Sequence, residues 1–309
     1  MPSAQELARA ILLQASASPR LARLAQRHGM RFGAARFVAG ATLDECVEVL
    51  RRLNDEGLYA NTTLLGEAVE DAAQAEAVTA QYEEVIRRLA AEGLKANVAL
   101  KLTHLGLLLD EEAAYRNLER LVAEAGRLGT FVRIDMEHSA VVDATLRIYR
   151  RLREAGHEGV GAVLQAYLYR TRDDLADLLP LSPNLRIVKG AYLEPPDLAF
   201  PEKRDVDRAY VELVKEALLR GAYVAVATHD ERIIAEVQEF TAKRAIARDR
   251  FEFQMLFGVR SAMQREVAAA GYKVLVATPF GPDWYPYLMR RLAERPANLL
   301  FLLRNLARA

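Results

Sequence analysis

Lys101 stands in the middle of the apolar, strand-like segment ANVALKLTHLG, residues 96–106. A lysine among buried neighbours loses hydration, which costs free energy unless an anion pairs with its ammonium group. Because side chains alternate faces along a strand, Lys101 and Thr103 should share a face, and Asp135 on the next strand-like segment is the first candidate partner. Lys101 therefore predicts either a buried ion pair or a binding site for an anion.

A second group of cations occurs near the end of the chain, in the helical segment DWYPYLMRRLAERP. Its polar stripe has the spacing i, i+3, i+4 and i+7 and consists of Tyr287, Arg290, Arg291 and Glu294. Glu294 can brace Arg290 from the next turn, and two adjacent arginines suit a planar anion such as a carboxylate. A solvated surface face is the alternative interpretation, because charged pairs at this spacing are frequent on exposed helices.

Other polar residues occur late in strand-like segments, where barrel enzymes place their chemistry. They are Arg133, Asp135, Glu137, Gln165, Arg186, Lys189, Tyr192, Thr228, His229, Glu252 and Gln254. One interpretation is an active site at the strand ends, and the other is a layer of structural ion pairs inside the barrel. Clustering at the strand ends favours a site. The histidines and the single cysteine form no HExxH or CxxC pattern, so no metal site is predicted.

An alternation of strand-like and helical segments positions these residues. The strand-like runs are 58–65, 97–103, 131–136, 161–168, 185–192, 223–228, 251–256 and 273–280. Several helical patterns between them end at a glycine, such as Gly93, Gly129 and Gly221. Eight such units predict an α/β fold, a (β/α)8 TIM barrel over 58–309, with an N-terminal helical arm over 1–57. A doubly wound sheet is the alternative, but no GxGxxG motif follows the first strand.

The composition excludes some classes of function. The 309 residues include 42 basic and 42 acidic side chains, so net charge gives no signal for nucleic acid. No secretory signal pattern is visible, and no apolar run approaches the roughly 18 residues of a membrane span. The single cysteine, Cys46, is interpreted as a buried residue of a cytoplasmic protein. The stretch 7–43 has arginines and no acidic residue, which predicts either a solvated arm or contact with an anionic membrane surface or partner.

Several motifs, in their order along the chain, resemble those of the proline dehydrogenase family. They are LKLT (100–103), IDME (134–137), LQAY (164–167), RIVKGAY (186–192), ATH (227–229), FEFQML (251–256) and YLMRRLAE (287–294). RIVKGAY followed about a hundred residues later by YLMRRLAE is a specific combination, and the chain length suits the short, monofunctional bacterial type. The resemblance implies a distorted (β/α)8 barrel that holds FAD without a Rossmann motif.

The resemblance also implies an activity and its partners. L-Proline would be oxidised to Δ1-pyrroline-5-carboxylate by hydride transfer to flavin N5, and the electrons would pass to a quinone. A separate pyrroline-5-carboxylate dehydrogenase would use the product. The protein would be a cytoplasmic flavoprotein of proline catabolism, with peripheral contact at the inner membrane.

Residue roles are carried over from the matching motifs. The implied substrate-binding residues are Lys101, Arg290 and Arg291 at the carboxylate, Tyr192 and Tyr287 as pocket walls, and Leu256 against the ring. The implied cofactor contacts are Met136, Gln165, Lys189, Gly190, Ala191, Thr228 and His229, with Arg186 beside flavin N5. Asp135 would order the site near Lys101, and Glu294 would hold the arginine helix. Arg186 and Asp135 are the predicted catalytic residues, because an arginine beside the flavin stabilises negative charge on the reduced ring.

Two residues depart from the family pattern. Ala277 in VATPFG stands where a tyrosine is usual, and His104 in KLTHLG replaces a more usual polar residue. Loss of an aromatic wall at Ala277 predicts a dehydrogenase that tolerates 4-hydroxyproline, unless Phe280 fills the gap. Two rival functions stay open: a Schiff-base aldolase with Lys101 or Lys189 as nucleophile, and a non-enzymatic barrel that binds an anionic metabolite.

Overall fold

A computed structural model of the protein describes residues 34–66 and 68–294, with side chains as far as Met289. Eight strands form a closed parallel barrel in chain order, and a helix follows each strand. The strands are β1 Tyr59–Leu64, β2 Ala96–Leu100, β3 Val132–Ile134, β4 Val160–Gln165, β5 Asn184–Val188, β6 Tyr223–Ala227, β7 Phe251–Leu256 and β8 Val274–Phe280. The helices are α1 Leu43–Asp55, α2 Ala72–Ala91, α3 Glu111–Arg127, α4 Val142–Glu154, α5 Thr171–Leu178, α6 Lys203–Leu219, α7 Glu231–Lys243, α8 Ser261–Ala269 and α9 Trp284–Glu294. The predicted barrel is confirmed, and residues 1–33 of the predicted arm lie outside the described residues.

Burial on both faces explains why the strands are apolar runs. All six residues of β4 are buried, because the inner face packs inside the barrel and the outer face packs against helices. Each helix contributes an apolar stripe at helical spacing, such as Tyr82, Ile86 and Leu89 of α2. Strands and helices thereby share a continuous apolar core.

Helix α1 takes the position beside β8 that the last helix has in a regular barrel. It packs against β1 and β8, and its Cys46 is buried with Sγ 3.3 Å from Thr62 Oγ1. Burial raises the pKa of the Cys46 thiol to about 12, as expected for a structural cysteine. Helix α9 instead packs through Trp284 and Leu288 in a separate apolar cluster with Phe37.

Four strands end two or more residues earlier than the sequence predicted, at Leu100, Ile134, Gln165 and Val188. The alternation of faces stops at these residues, and loops position the side chains beyond them. Lys101 therefore precedes a 3-10 turn, Leu102–Leu105, rather than standing inside a strand.

For this reason strand alternation does not determine which way Thr103 and Tyr192 face. Thr103 lies within the 3-10 turn, so strand alternation does not relate it to Lys101. Tyr192 lies in the loop after β5, so alternation does not relate it to Arg186. The positions of both side chains depend on loop geometry.

The amino-terminal end of the barrel interior holds charges that bond to other protein groups. Arg133 is 2% exposed and donates to the Asn184 carbonyl at 2.8 Å and to the Asn184 side-chain oxygen at 2.5 Å. Glu252 accepts from Lys273 and from the Tyr223 hydroxyl, each at 2.8 Å. For Arg133 and Glu252, the interpretation as a structural layer is therefore correct.

Candidate active site

The carboxyl ends of the strands open into a cavity of about 1220 Å³. It is lined by every predicted site residue whose side chain is described: Lys101, Asp135, Met136, Gln165, Arg186, Lys189, Gly190, Ala191, Tyr192, Thr228, His229, Leu256 and Tyr287. The side chains of Arg290, Arg291 and Glu294 lie outside the described residues. The grouping follows from the topology, because parallel strands bring their carboxyl ends to one face of a barrel.

Arg186 is held at the edge of the cavity by one acceptor from β1 and one from the segment just after β3. Its Nη1 donates to Asp135 Oδ1 at 2.6 Å, and its Nη2 donates to Asn61 Oδ1 at 2.7 Å. The residue is 8% exposed, and its buried Nε has no hydrogen-bond partner among the described residues. Because an unpaired buried donor costs roughly 1–3 kcal/mol, this N–H indicates a place where a bound group would complete the site.

Lys101 and Asp135 are neighbours without forming an ion pair. Asp135 N donates to Leu100 O at 2.8 Å, which places the two residues side by side just beyond the ends of the adjacent strands β2 and β3. The Asp135 carboxylate binds Arg186 instead, because a guanidinium can bond Asp135 and Asn61 at once. The predicted partner of Lys101 is thereby corrected. Lys101 lines the cavity with no carboxylate at ion-pair distance among the described residues.

Glu137 ties together one wall of the cavity. Its carboxylate accepts from Thr103 N at 3.2 Å and from Thr103 Oγ1 at 2.7 Å, and its carbonyl accepts from Gln165 Nε2 at 2.8 Å. These bonds link the segments after β2 and β3 to the end of β4. Burial raises the pKa of the Glu137 carboxyl, and the Thr103 bonds and the charge of Lys101 offset only part of that effect.

Lys189 is engaged by carboxylates from two neighbouring elements. Its Nζ donates to Asp207 Oδ1 at 2.5 Å and to Asp230 Oδ2 at 3.4 Å, and Lys203 also bonds Asp207. Burial raises the pKa of Asp207, but the two lysines outweigh burial, and the net pKa is lowered. Because the Lys189 nitrogen is committed to these contacts, it is poorly suited to be a Schiff-base nucleophile.

Thr228 and His229 hold loops as well as lining the cavity. Thr228 Oγ1 accepts from Asp230 N at 3.1 Å, at the start of α7. His229 Nε2 accepts from Leu256 N at 2.8 Å, which places the proton of the neutral ring on Nδ1. The imidazole therefore joins the segment after β6 to the end of β7.

The turn after β5 requires glycine. Gly190 has φ +117°, a conformation that other residues rarely adopt, and a Cβ there would lie 2.3 Å from the Tyr167 ring. Backbone at residues 189–191 therefore borders the cavity with little side-chain bulk. Such a turn permits close approach of a ligand to the main chain.

Three residues around the site had no specific role assigned from the sequence, although Gln254 was among the strand-end candidates. Asn61 is 1% exposed in the middle of β1, and a buried amide in a strand-like run was a signal that could have identified it. Gln254 lines the cavity and donates to Glu252 Oε1 at 2.5 Å, which connects the cavity to the charges below it. Tyr167 supports Gly190, and no sequence pattern marked that contact.

The described part of the chain lacks two kinds of feature. Across residues 34–66 and 68–294, no group of three or more His, Cys, Asp or Glu side chains could hold a metal ion. Within the same ranges, no helix has the length and apolarity needed to cross a membrane.

Comparison with known proteins identifies the family. The model of the family described as proline dehydrogenase matches residues 46–304. The chain belongs to the proline dehydrogenase family. Proline dehydrogenase 1 of Bacillus subtilis (strain 168) is 42% identical over 298 residues, which cover 96% of this chain and 98% of that protein. Proline dehydrogenase of Deinococcus radiodurans is 41% identical over 305 residues, covering 97% of this chain and 98% of that protein.

The chain spans nearly the whole length of these two proline dehydrogenases. Among solved structures, proline utilization A (PutA) from Bdellovibrio bacteriovorus is similar with a TM-score of 0.81 and 24% identity. The match covers 93% of this chain but only 36% of that chain, so the chain spans about a third of the PutA length. This likeness shows the barrel fold.

The two departures from the proline dehydrogenase pattern both lie close to the cavity. Ala277 lines it opposite Leu256 in the β7–β8 register. Phe280 is buried in the barrel core and is not among the described residues that line the cavity, so it does not fill the space at 277. His104 is buried under the loop after β1, where a Cβ at Gly66 would lie 2.3 Å from its ring.

Proposed function

We propose that this chain oxidises L-proline to Δ1-pyrroline-5-carboxylate with FAD as cofactor and passes the electrons to a quinone. The observation that carries the proposal is Arg186, a buried cation at the cavity edge whose Nε lacks a partner among the described residues. Membership of the proline dehydrogenase family supplies the reaction class.

The residues present fit a flavin. The cavity of about 1220 Å³ exceeds the roughly 300–1,000 Å³ of a typical small-molecule pocket, so it can accept a large cofactor together with a small substrate. The Arg186 Nε–H offers an unused donor, and the Gly190 turn offers open backbone. Around them, Met136, Gln165, Lys189, Ala191, Thr228 and His229 are the proposed cofactor contacts.

The substrate end of the site is proposed from its cations and its walls. Lys101 borders the cavity without a carboxylate among the described residues, so a substrate carboxylate is a suitable partner. Arg290 and Arg291 follow Tyr287 by about one helical turn on α9 and are proposed to bind the same carboxylate. Tyr192 is proposed as a second wall; Leu256 is proposed to contact the ring, and Glu294 to brace the arginines.

The protein groups orient the substrate and stabilise developing charge. When bound, FAD supplies a two-electron acceptor for the hydride that leaves C5 of proline, and the ring nitrogen releases its proton as the C=N bond forms. The cations fix the carboxylate, so the ring is presented in one orientation. Arg186, held by Asp135 and Asn61, keeps a positive charge where negative charge accumulates.

The partners follow from this chemistry. The two electrons must leave to an acceptor, proposed to be a quinone reached at the inner membrane surface. The product is proposed to be used by a separate pyrroline-5-carboxylate dehydrogenase. A cytoplasmic protein with peripheral membrane contact is the proposed location.

The proposal is tested first by the cofactor. Purified protein should be yellow, and acid precipitation should release FAD into the supernatant. L-Proline should bleach the flavin absorbance without oxygen, and a soluble quinone should restore it. Pyrrolidine, which lacks the carboxylate, is the matched control and should bleach it far more slowly. A colourless protein, release of FMN, or equal rates with both amines would overturn the proposal.

An inactivator provides a second test. The Bdellovibrio PutA structure was obtained after inactivation by N-propargylglycine. We propose that the same compound inactivates this enzyme with time and that excess L-proline protects against it. Inactivation without protection by proline would show that the compound reacts outside the substrate site.

Space at the cavity wall favours a second candidate substrate. Ala277 leaves this space, so 4-hydroxyproline is proposed as a tolerated substrate of the same reaction. An aldolase is less favoured, because Lys189 is held by two carboxylate contacts. A barrel that only binds a metabolite would carry no flavin. A yellow purified protein would therefore exclude this function, and a colourless one would favour it.

A further inference from the structure

The loop that carries Tyr192 is bonded to the loop after β3 through one carboxylate. Ser139 N donates to Glu194 Oε1 at 2.7 Å, and Ser139 Oγ donates to Glu194 Oε2 at 2.6 Å. Both oxygens of Glu194 are therefore used, and both bonds end on the same residue. This two-bond contact is called the Glu194 clamp below.

The Glu194 clamp caps the start of a helical segment that has no side-chain cap of its own. Ser139 begins the 3-10 turn Ser139–Val141, which leads directly into α4. His138, the residue at the N-cap position, makes no side-chain cap hydrogen bond. Glu194 supplies the missing acceptor from 55 residues away, and its negative charge is favourable at a helix start.

Burial does not hold the loop beyond Tyr192. Leu193 is 81% exposed, and residues 195–197 are exposed as well. Tyr192 and Glu194 are less exposed than these neighbours, and the Tyr192 ring meets the His138 ring edge-on at 6.2 Å between centroids. Because Tyr192 and His138 both line the cavity, the clamp lies directly behind a cavity wall.

We propose that Glu194 is a positioning residue that sets proline affinity by holding Tyr192 against His138. This inference rests on the proposed function, in which Tyr192 is a wall of the substrate pocket. Glu194 is not among the described residues that line the cavity, so it acts through Tyr192. The reaction itself depends on other residues, so the effect falls on KM rather than on kcat.

Kinetics of clamp variants test the inference. Glu194→Ala should raise KM for L-proline about 5- to 30-fold, with kcat within about 2-fold and flavin content unchanged. Glu194→Gln keeps one acceptor and should recover part of the affinity. Glu111→Ala is the matched control, because Glu111 also makes two bonds to a single residue, Arg147 of α4, but outside the cavity. It should leave KM unchanged.

A double variant separates positioning from general loosening. In a Tyr192→Ala background, adding Glu194→Ala should raise KM no further, because the side chain that the clamp positions is gone. Additive effects of the two substitutions, an equal loss of kcat, or an unchanged KM in Glu194→Ala would overturn the inference. Faster amide hydrogen exchange at Ser139 in Glu194→Ala would confirm that the clamp exists in solution. Failure of the unmodified protein to oxidise proline is a separate outcome, which removes the proposed function and this inference with it.

Discussion

Both ends of the barrel interior hold charged side chains, and the two ends differ in how fully these side chains are bonded to other protein groups. At the amino end, Arg133 donates to backbone and side-chain oxygens, and Glu252 accepts from Lys273. At the carboxyl end, Arg186 keeps an unpartnered Nε, and Lys101 has no carboxylate at ion-pair distance, both within the described part of the chain. The first end is saturated by the protein, and the second end is incomplete without a ligand.

This difference assigns stability to the amino end of the barrel and function to the carboxyl end. A buried charge with satisfied partners adds to the integrity of the fold, and removing one partner is costly. A buried donor left without a partner is a cost that binding can recover. The same division is general for barrels, whose amino-terminal face serves stability and whose carboxyl-terminal face carries the site.

The largest expected effect is on stability and comes from the saturated end. Arg133→Met leaves the Asn184 oxygens unpaired in the interior and should lower the free energy of unfolding by about 3–5 kcal/mol. Denaturant unfolding of the holoenzyme measures it. The activity of the molecules that stay folded should be nearly unchanged. A specific activity that falls as steeply as stability would contradict the division between the two ends.

The corresponding substitution at the carboxyl end of the barrel should lower the rate of catalysis. Arg186→Met removes the positive charge beside the proposed flavin and should lower kcat roughly 100- to 1000-fold. The free energy of unfolding should fall by about 1–3 kcal/mol, less than in Arg133→Met, because Asn61 loses a donor but the partly exposed Asp135 can bond to water. Steady-state kinetics and unfolding on the same preparation give both values. A stability loss equal to that of Arg133→Met would erase the contrast.

The helix arginines extend the comparison to residues predicted from the sequence. Arg291→Met should remove a charge-assisted contact with the substrate carboxylate and cost about 1.5–3 kcal/mol, or roughly 10- to 150-fold in kcat/KM. FAD content should be unchanged. Arg220→Met, an exposed arginine after α6, is the control and should have no effect. An unchanged kcat/KM in Arg291→Met would remove Arg291 from the carboxylate site.

A smaller effect is expected at the cavity wall. Ala277→Tyr should lower kcat/KM for 4-hydroxyproline relative to proline by about 10-fold, because an aromatic wall would crowd the hydroxyl group. The ratio for the two substrates is measured in both proteins. If the ratio does not change, residue 277 does not contact the bound ring, even though it lines the cavity.

The smallest effect is a difference in pH dependence between two glutamates. Burial raises the pKa of Glu252, but the charge of Lys273 and three hydrogen bonds outweigh burial and lower it. Its stabilising contribution is therefore present above the ordinary carboxyl pKa and is lost as pH falls through the lowered value. Glu137 has a raised pKa, so its contribution is present below the ordinary value and is lost as pH rises through the raised one.

Unfolding from pH 3 to 8 tests both glutamates. Glu252→Gln should cost most stability at neutral pH, and the cost should shrink on acidification. Glu137→Gln should cost least at neutral pH. Parallel curves for the two variants would show that the two ends do not differ in their electrostatics.

Much of the fold could be predicted because its signals are local. Strand-like runs and helical stripes depend on neighbours a few residues apart, and eight repeats of that pattern suffice for a barrel. Candidate site residues followed from the rule that chemistry lies at strand ends, and most of the described ones line one cavity, whereas Arg133 and Glu252 bond to other protein groups at the opposite end. The predicted ends of β2, β3, β4 and β5 were wrong because curvature and closure of the barrel decide where pairing stops.

The sequence by itself determined the barrel, the family and the set of polar residues available to the site. Tertiary structure alone decided which of them meet: Asp135 with Arg186 rather than Lys101, and Glu194 with Ser139. These contacts join residues 51 and 55 positions apart. Their geometry depends on register and loop path, which no local periodicity encodes. The pairing of each buried charge, and with it the difference between the two ends of the barrel, is therefore a property of the closed fold.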